Sequence, residues 1–499
     1  MQPRLRYDDV AWEKSEAVAD GWVLQFLEPE VLQPVGRFLV RQHCPGDAVE
    51  FRLLEKGAYN ISLQMKYKNA TTAVIRFSQP GATMFPEEKA RNEVAIMRYI
   101  HGQTSIPVPF VHYWGTKKES PLELSPCIIM DYIDHDTNMY DALNTPGCPK
   151  DVRGTLDPDI NEAKLGTVYR EVASILLQLS QPCLPRIGSL DQVDDFTWKV
   201  THRPLSMPMN TLIQLGSLPQ SKLPTTTFDT TSSYFEALAE LHIAHLINQR
   251  NDAIDSAEDC RRKLVARYLF HKLARQHRLT NQLASFDKGP FKLWCDDFRP
   301  ANILMSELKI VGVVDWEFTY AAPAEFTFAP PWWLLIERPE YWPRGLDNWC
   351  SEYERRLQTF LSAMRYQEDR AIEQGRLKST QRLSGPMQDS WESGDFWIAY
   401  AARNNFAFDL IYWYKIDPRF FGPTSSPIDD VWKHRLDILE PEERADIERF
   451  VAMKLEQMKT RKLAWDPDDY TKEVAGKGSE DNAADGDEIG GAEAGADDR

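Results

Sequence analysis

Cysteine is sparse: seven in 499 residues, placed singly, with no CxxC pair and no histidine cluster beside them. That spacing excludes a disulfide framework and a zinc site built on paired ligands. Long apolar runs are missing too; nowhere do the roughly 18 uncharged apolar residues of a membrane span follow one another. The opening stretch "MQPRLRYDDVAWEKSE" carries charges where a secretory signal needs an apolar core. The expectation is a cytoplasmic protein with reduced thiols and no membrane partner. Basic residues are in deficit, Lys+Arg 58 against Asp+Glu 75 for a net charge of −17, which argues against nucleic acid as a partner. No internal repeat is apparent. The sequons at Asn60 and Asn69 are read as chance matches in such a protein. Oligomeric state is not legible.

What is present is 42% hydrophobic residues, enough for a large core. "AVEFRLLEK", "ISLQMKYK" and "TTAVIRF" alternate apolar with polar residues and break at "GAYN" and "NA", which predicts an antiparallel meander from about Ala48 to Phe77. "PEEKARNEVAIMRYIHG" predicts a helix with Ala90, Val94, Met97 and Ile100 on one face. Two further strands, "PFVHYWG" and "SPCIIMDYI", complete five strands and one helix by Ile133. Helical spacing then dominates: "EAKLGTVYREVASILLQLSQ", "SSYFEALAELHIAHLINQ", "CRRKLVARYLFHKLARQH", and long patterns at 346–374, 390–415 and 441–462. The Pro, Ser and Thr-rich stretch 186–231 reads as loop. From Gly476 to Arg499 eight acids face two bases, a composition that cannot bury enough apolar area to order itself.

Between these patterns lies "LWCDDFRPANILM", Leu293 to Met305, followed by the buried-strand pattern "LKIVGVVDWEF". Asp297, Asn302 and Asp315 fall at intervals of five and thirteen, and the hairpin "ILMSELKIVGVV" returns the chain so that Asp315 comes beside Asn302. Phosphoryl transfer needs this combination: one carboxylate to accept a hydroxyl proton, plus an amide oxygen and a second carboxylate to hold magnesium against nucleotide phosphates.

In these residues the chain resembles the aminoglycoside phosphotransferase-like branch of the protein-kinase-like fold, and within it the fungal phosphotransferase enzyme family. The family's catalytic loop reads His-Gly-Asp-x-x-x-x-Asn; here it is Cys295, Asp296, Asp297, then Asn302. The resemblance, which covers about Ala48 to Trp342, implies an α+β, two-lobed fold: a five-stranded antiparallel lobe with one helix (48–132) and a larger helical lobe carrying the catalytic loop (133–465); the expected division adds an N-terminal helical extension (1–47) and an acidic disordered tail (466–499). It also implies ATP and Mg2+ as cofactors, with Asp297 as base and Asn302 and Asp315 as metal ligands. Gly57 lies in the turn over the phosphates, and Arg76 pairs with Glu93 beside them. The hinge would offer the backbone of Asp131 and Ile133 to the adenine edge, with Met130 behind it.

The sequence departs from the family at three places. Arg76 stands where a strand lysine is usual, and a guanidinium is planar and bulkier than an ammonium. Cys295 replaces histidine and is read as packing. Asp296 replaces glycine, with its side chain either in solvent or on a basic substrate group. The acceptor implied is a small-molecule hydroxyl compound. Trp397, Ala401, Asn404, Phe408 and Ile411 share one helical face, read as core, with a cage for an ammonium-bearing acceptor, flanked by Asp389, Glu392 and Asp395, as the alternative. The reading is a small-molecule kinase; a catalytically impaired pseudokinase or nucleotide-binding module is the alternative. No Ala-Pro-Glu element follows Asp315, which argues against a protein kinase.

Overall fold

Period-two alternation sorts the first sheet into two faces, and each face finds its own cover. The computed structural model describes residues 6–43, 45–149, 152–280 and 283–476, so the acidic stretch 477–499 lies outside the described residues. Strands β1 (Ala48–Lys56), β2 (Asn60–Tyr67), β3 (Thr72–Ser78), β4 (Val111–Gly115) and β5 (Cys127–Asp131) form one antiparallel sheet in the order β1-β2-β3-β5-β4. Ile61, Leu63, Ile75, Phe77 and Ile129 point one way and pack on Trp22, Phe26, Val35 and Leu39. Those four come from helices α1 (Asp9–Phe26) and α2 (Pro29–Gln42), so the N-terminal helices roof the sheet. Val74, Ile128 and Met130 point the other way, onto Ala90, Val94 and Met97 of α3 (Pro86–Gln103). The same parity puts Arg76 on the α3 side of β3.

The larger lobe follows: β6 (Thr137–Asn138), α4 (Met139–Leu143), α5 (Glu162–Leu179), β7 (Ser189–Asp194), β8 (Thr197–His202), α6 (Met207–Gly216), α7 (Thr231–Asn248), α8 (Ala257–Arg275) and α9 (Leu283–Phe286). Strands β9 (Lys292–Cys295), β10 (Ile303–Ser306), β11 (Lys309–Val313) and β12 (Thr319–Ala322) then lead into mainly helical chain: α10 (Ala324–Phe328), α11 (Leu346–Glu373), α12 (Ser384–Ser393) and α13 (Asp395–Arg403), ending with α14 (Phe408–Ile411), α15 (Asp417–Phe421) and α16 (Pro441–Met458). The small sheets pair as β11-β10-β6 and β12-β9. The fold is α+β, with a five-stranded antiparallel lobe and a larger, mainly helical one. Among the described residues no helix is long and apolar enough to cross a membrane.

Three expectations are corrected. The stretch 186–231 is not plain loop: β7 and β8 form a hairpin and α6 a helix. The hairpin is polar on its outer face and buries little beyond Leu190 and Val200, so its alternation is faint. The 390–415 pattern is not one helix, because Gly394 takes a left-handed conformation (φ 83°) between α12 and α13 and the chain passes Tyr412–Ile416 as a π-turn. Residues 466–476, expected to lie within the disordered tail (466–499), include a helix at 469–476 whose Val474 packs on the sheet's roof. Thr471 there is fully buried and accepts the Gly81 amide at 3.0 Å.

Candidate functional site

The loop after β9 is built by hydrogen bonds to its own ends. The Asp296 amide bonds to Phe318 O at 3.1 Å, and the Val314 amide to Asn302 O at 3.0 Å, next to the Ile303–Val313 rung of the β10–β11 hairpin. Asn302 and Asp315 are thereby held at the same end of the hairpin. The Asn302 amide nitrogen donates to both the carboxylate and the main-chain carbonyl of Asp297, each at 2.9 Å. Arg299 Nε donates to the other Asp297 oxygen at 2.6 Å. Burial pushes the Asp297 carboxyl above its usual range, and Arg299 and Asn302 work against that shift.

Asp315 sits in left-handed backbone, φ 60°, uncommon for a residue with a Cβ. Its carboxylate is about one-third exposed and accepts from Arg76 at 2.6 Å. Burial in the cleft is the leading cause that raises its pKa, to about 7; Arg76 opposes the rise and Glu317 adds to it. The other arm of the Arg76 guanidinium pairs with Glu93 of α3. Glu93 is almost wholly buried, and burial lifts its carboxyl above the ordinary value despite the arginine. The structure therefore brings Arg76, Glu93 and Asp315 together in one chain of contacts.

A second cation lies beside the first and was not legible as a site residue. Lys89 is four residues before Glu93, on the same face of α3, and is 2% exposed. Its Nζ lies 2.6 Å from Glu317 Oε2 and 2.6 Å from Asn60 Oδ1, and the Asn60 amide donates to Glu317 at 2.8 Å. Burial raises the Glu317 pKa, but Lys89 first and Arg76 next outweigh it and hold the carboxylate below its usual value. Asn60, half-buried, is thus a ligand of this cluster. The i, i+4 relation of Lys89 to Glu93 and the acid two places after Asp315 were the available signals.

The turn over this cluster closes through the Gly57 amide to Asn60 O at 2.9 Å, and Gln79 Nε2 clamps both turn carbonyls at 2.8 Å. Between them, Tyr59 sets its ring edge-on to Phe318 at 5.4 Å. Burial, then the charge of Asp297, pushes its phenol well above the ordinary value. At the hinge, β5 pairs Met130 with Val74 and Asp131 with Ala73. The Asp131 amide is used on Phe110 O at 3.0 Å, whereas the Ile133 amide donates to nothing among the described residues.

Asp296 points away from this cleft. Its buried carboxylate accepts from Trp294 Nε1 at 2.8 Å, from the Met207 amide at the start of α6 at 3.2 Å, and from Arg403 at 3.3 Å. Arg403 itself stacks 4.4 Å over the Trp294 ring. The expectation that Asp296 meets solvent or a basic substrate group is therefore overturned: its charge is matched within the protein. Cys295 is buried, and burial pushes its thiol far above the ordinary value, so it packs rather than reacts. Trp397, Ala401, Phe408 and Ile411 are core, and the Trp349, Tyr353, Trp391 and Phe396 rings close on one another, so the aromatic face offers no open cage. Asp395 pairs with Arg419 at 2.7 Å.

No family model and no curated protein matches this chain. Among solved structures it is similar to aminoglycoside phosphotransferases. APH(4)-Ia is 15% identical with a TM-score of 0.38, over 76% of this chain and 98% of that one. The gentamicin-bound APH(2'')-IIa is 13% identical with a TM-score of 0.41, over 88% and 97%. ADP-bound APH(2'')-Ib is 14% identical with a TM-score of 0.38, over 74% and 99%.

Proposed function

We propose that this chain is a phosphotransferase that moves the terminal phosphate of ATP, with Mg2+, to the hydroxyl of a small molecule. The observation that carries the reading is the convergence of Asp297, Asn302 and Asp315, through direct hydrogen bonds and one hairpin rung, next to a cation-lined wall. Four carboxylates (Glu93, Asp297, Asp315, Glu317) meet three cations (Arg76, Lys89, Arg299) there, leaving excess negative charge and hard oxygen donors, a set that suits magnesium. With its amide nitrogen engaged on Asp297, Asn302 would give its oxygen, and Asp315 its carboxylate, to the ion. Bound magnesium would neutralise phosphate charge as the terminal group leaves.

Asp297 is the base: an acceptor hydroxyl hydrogen-bonds to its carboxylate, which is made more basic by burial and aimed by Arg299 and Asn302. Arg76, braced by Glu93, adds positive charge to the phosphate side. The Gly57 turn covers the phosphates, and Ile133 N–H with the Asp131 carbonyl meets the adenine edge in front of Met130. Cytoplasmic placement, supported by the free thiols of the six described cysteines, and a place in the fungal phosphotransferase branch belong to the same proposal. A second reading, nucleotide binding without transfer, is favoured by the engagement of Arg76 on both Glu93 and Asp315. Labelled ATP offered with a panel of hydroxyl compounds separates the two: label on any acceptor, dependent on Asp297, supports transfer, and magnesium-dependent binding with no turnover supports the second reading.

A further inference from the structure

Three parts of the cleft meet at one loop. Residues 79–85 follow β3, which carries Arg76, and lead into α3, which carries Glu93. The loop also holds the turn above the cleft. Gln79 Nε2 donates to Gly57 O and Asn60 O, the Gln79 amide donates to Tyr59 O at 2.8 Å, and the Thr83 hydroxyl donates to the same carbonyl at 3.0 Å. A displacement of this loop would shift the turn, the start of α3 and the Arg76–Glu93 pair together.

The remaining polar groups of the loop are met from outside the sheet. Gly81 has φ 83° and lies so close to α1 that a Cβ would sit 2.6 Å from Ser15 O; its carbonyl accepts from the Ser15 hydroxyl at 2.9 Å. Asn210, buried on α6 of the larger lobe, accepts from the Met84 amide at 2.8 Å and donates to Ala82 O at 3.0 Å. A side-chain amide that spends its oxygen and its nitrogen on main-chain groups two residues apart fixes the loop's orientation as well as its distance. The same helix reaches the loop after β9. One turn before Asn210, the Met207 amide donates at 3.2 Å to Asp296, the neighbour of Asp297. One turn after it, Gln214 donates to Ser15 Oγ at 3.0 Å. Met207 and Asn210 are about 4.5 Å apart along the helix axis, so a single turn of α6 connects the two loops.

We infer that Asn210 is a positioning residue: through α6 it sets the Gly57 turn and the Arg76–Glu93 pair at a fixed place relative to Asp297. This deepens the phosphotransferase reading and rests on it. By that reading adenine is met at Asp131 and Ile133, and Asp131 pairs with Ala73, six strand residues or about 20 Å from Gln79. Loss of the Asn210 contacts should therefore be felt by the phosphates and not by the nucleoside.

The test is calorimetric, on the full-length chain, with adenosine and ATP in the presence of Mg2+. Asn210→Ala should weaken ATP about tenfold or more and adenosine by less than about threefold. Val265→Ala, in the buried face of α8 and away from α6, makes a cavity without touching the link and should leave both affinities unchanged. A second measurement needs no variant and decides the matter if Asn210→Ala does not fold. Hydrogen exchange of the wild-type chain in the segments 80–88 and 207–216 should slow at least about threefold more with Mg2+ and ATP than with adenosine. An equal loss for adenosine and ATP in Asn210→Ala, wild-type ATP affinity in that variant, or exchange in 207–216 indifferent to ATP overturns the role of Asn210 and leaves the phosphotransferase reading standing. Absence of any adenine-nucleotide binding by the wild-type chain overturns both.

Discussion

The side-chain amide of Asn302 bridges the carboxylate and the main-chain carbonyl of Asp297, at 2.9 Å to each. One residue thus fixes where the other's oxygens point. Asp297→Asn keeps the shape but removes the proton acceptor, so turnover should fall about 100-fold or more while the thermal midpoint moves little. Near-unchanged turnover would remove Asp297 from the role of base.

Asp296 and Arg403 form a buried pair behind the loop, 3% and 9% exposed. Removing one partner strands the other charge, so Arg403→Met should cost about 3–5 kcal/mol of folding stability. Urea unfolding measures this, and a change below about 1 kcal/mol would mean that Asp296 finds its counter-charge elsewhere.

The helix at 469–476 docks on the smaller lobe. Thr471 accepts the Gly81 amide, Lys117 pairs with Glu473 at 2.5 Å, and the Tyr470 hydroxyl donates to Leu124 O. Ending the chain after Trp465 should lower stability by about 2 kcal/mol or more, from lost apolar burial and buried hydrogen bonds. An unchanged melting profile would show that the docked helix contributes nothing to the fold.

His245 is buried against Gly216 and Phe406, and burial, with Arg267 next, lowers its pKa to about 3. The unfolded chain takes up a proton near pH 6.5 that the folded one refuses, so stability is full above that value and declines as pH falls from 6.5 toward 3. The slope should reach about 1.4 kcal/mol per pH unit for this group alone. Unfolding free energies measured in steps from pH 7 to about pH 4 should show it, and His245→Gln should remove about one proton from the slope. A slope unaltered by that substitution would contradict the assignment.

The five-stranded sheet and α3 were legible because period two and period 3.6 are strong over these lengths, and because "GAYN" and "NA" break the strands where the structure turns. The contact of Arg76 with Glu93 was implied by the family resemblance, and the closeness of Asn302 to Asp315 by the returning hairpin. Lys89 was not legible: its i, i+4 relation to Glu93 is one that a solvated helix lysine also shows, and only the fold turns its face inward. Asp296 was ambiguous for the same reason, since Arg403 is 107 residues away. The order of 469–476 was hidden by its acidic neighbours, because docking depends on Thr471 and Gly81, 390 residues apart. Long-range partners decide these cases, and periodicity carries no trace of them.

The account turns on a magnesium-dependent nucleotide site at Asp315. Calorimetric titration of ATP into the full-length chain, with and without Mg2+, should show binding that strengthens at least about tenfold with the ion and is lost from Asp315→Ala even when the ion is present. Binding indifferent to magnesium, or retained in full by Asp315→Ala, would contradict it.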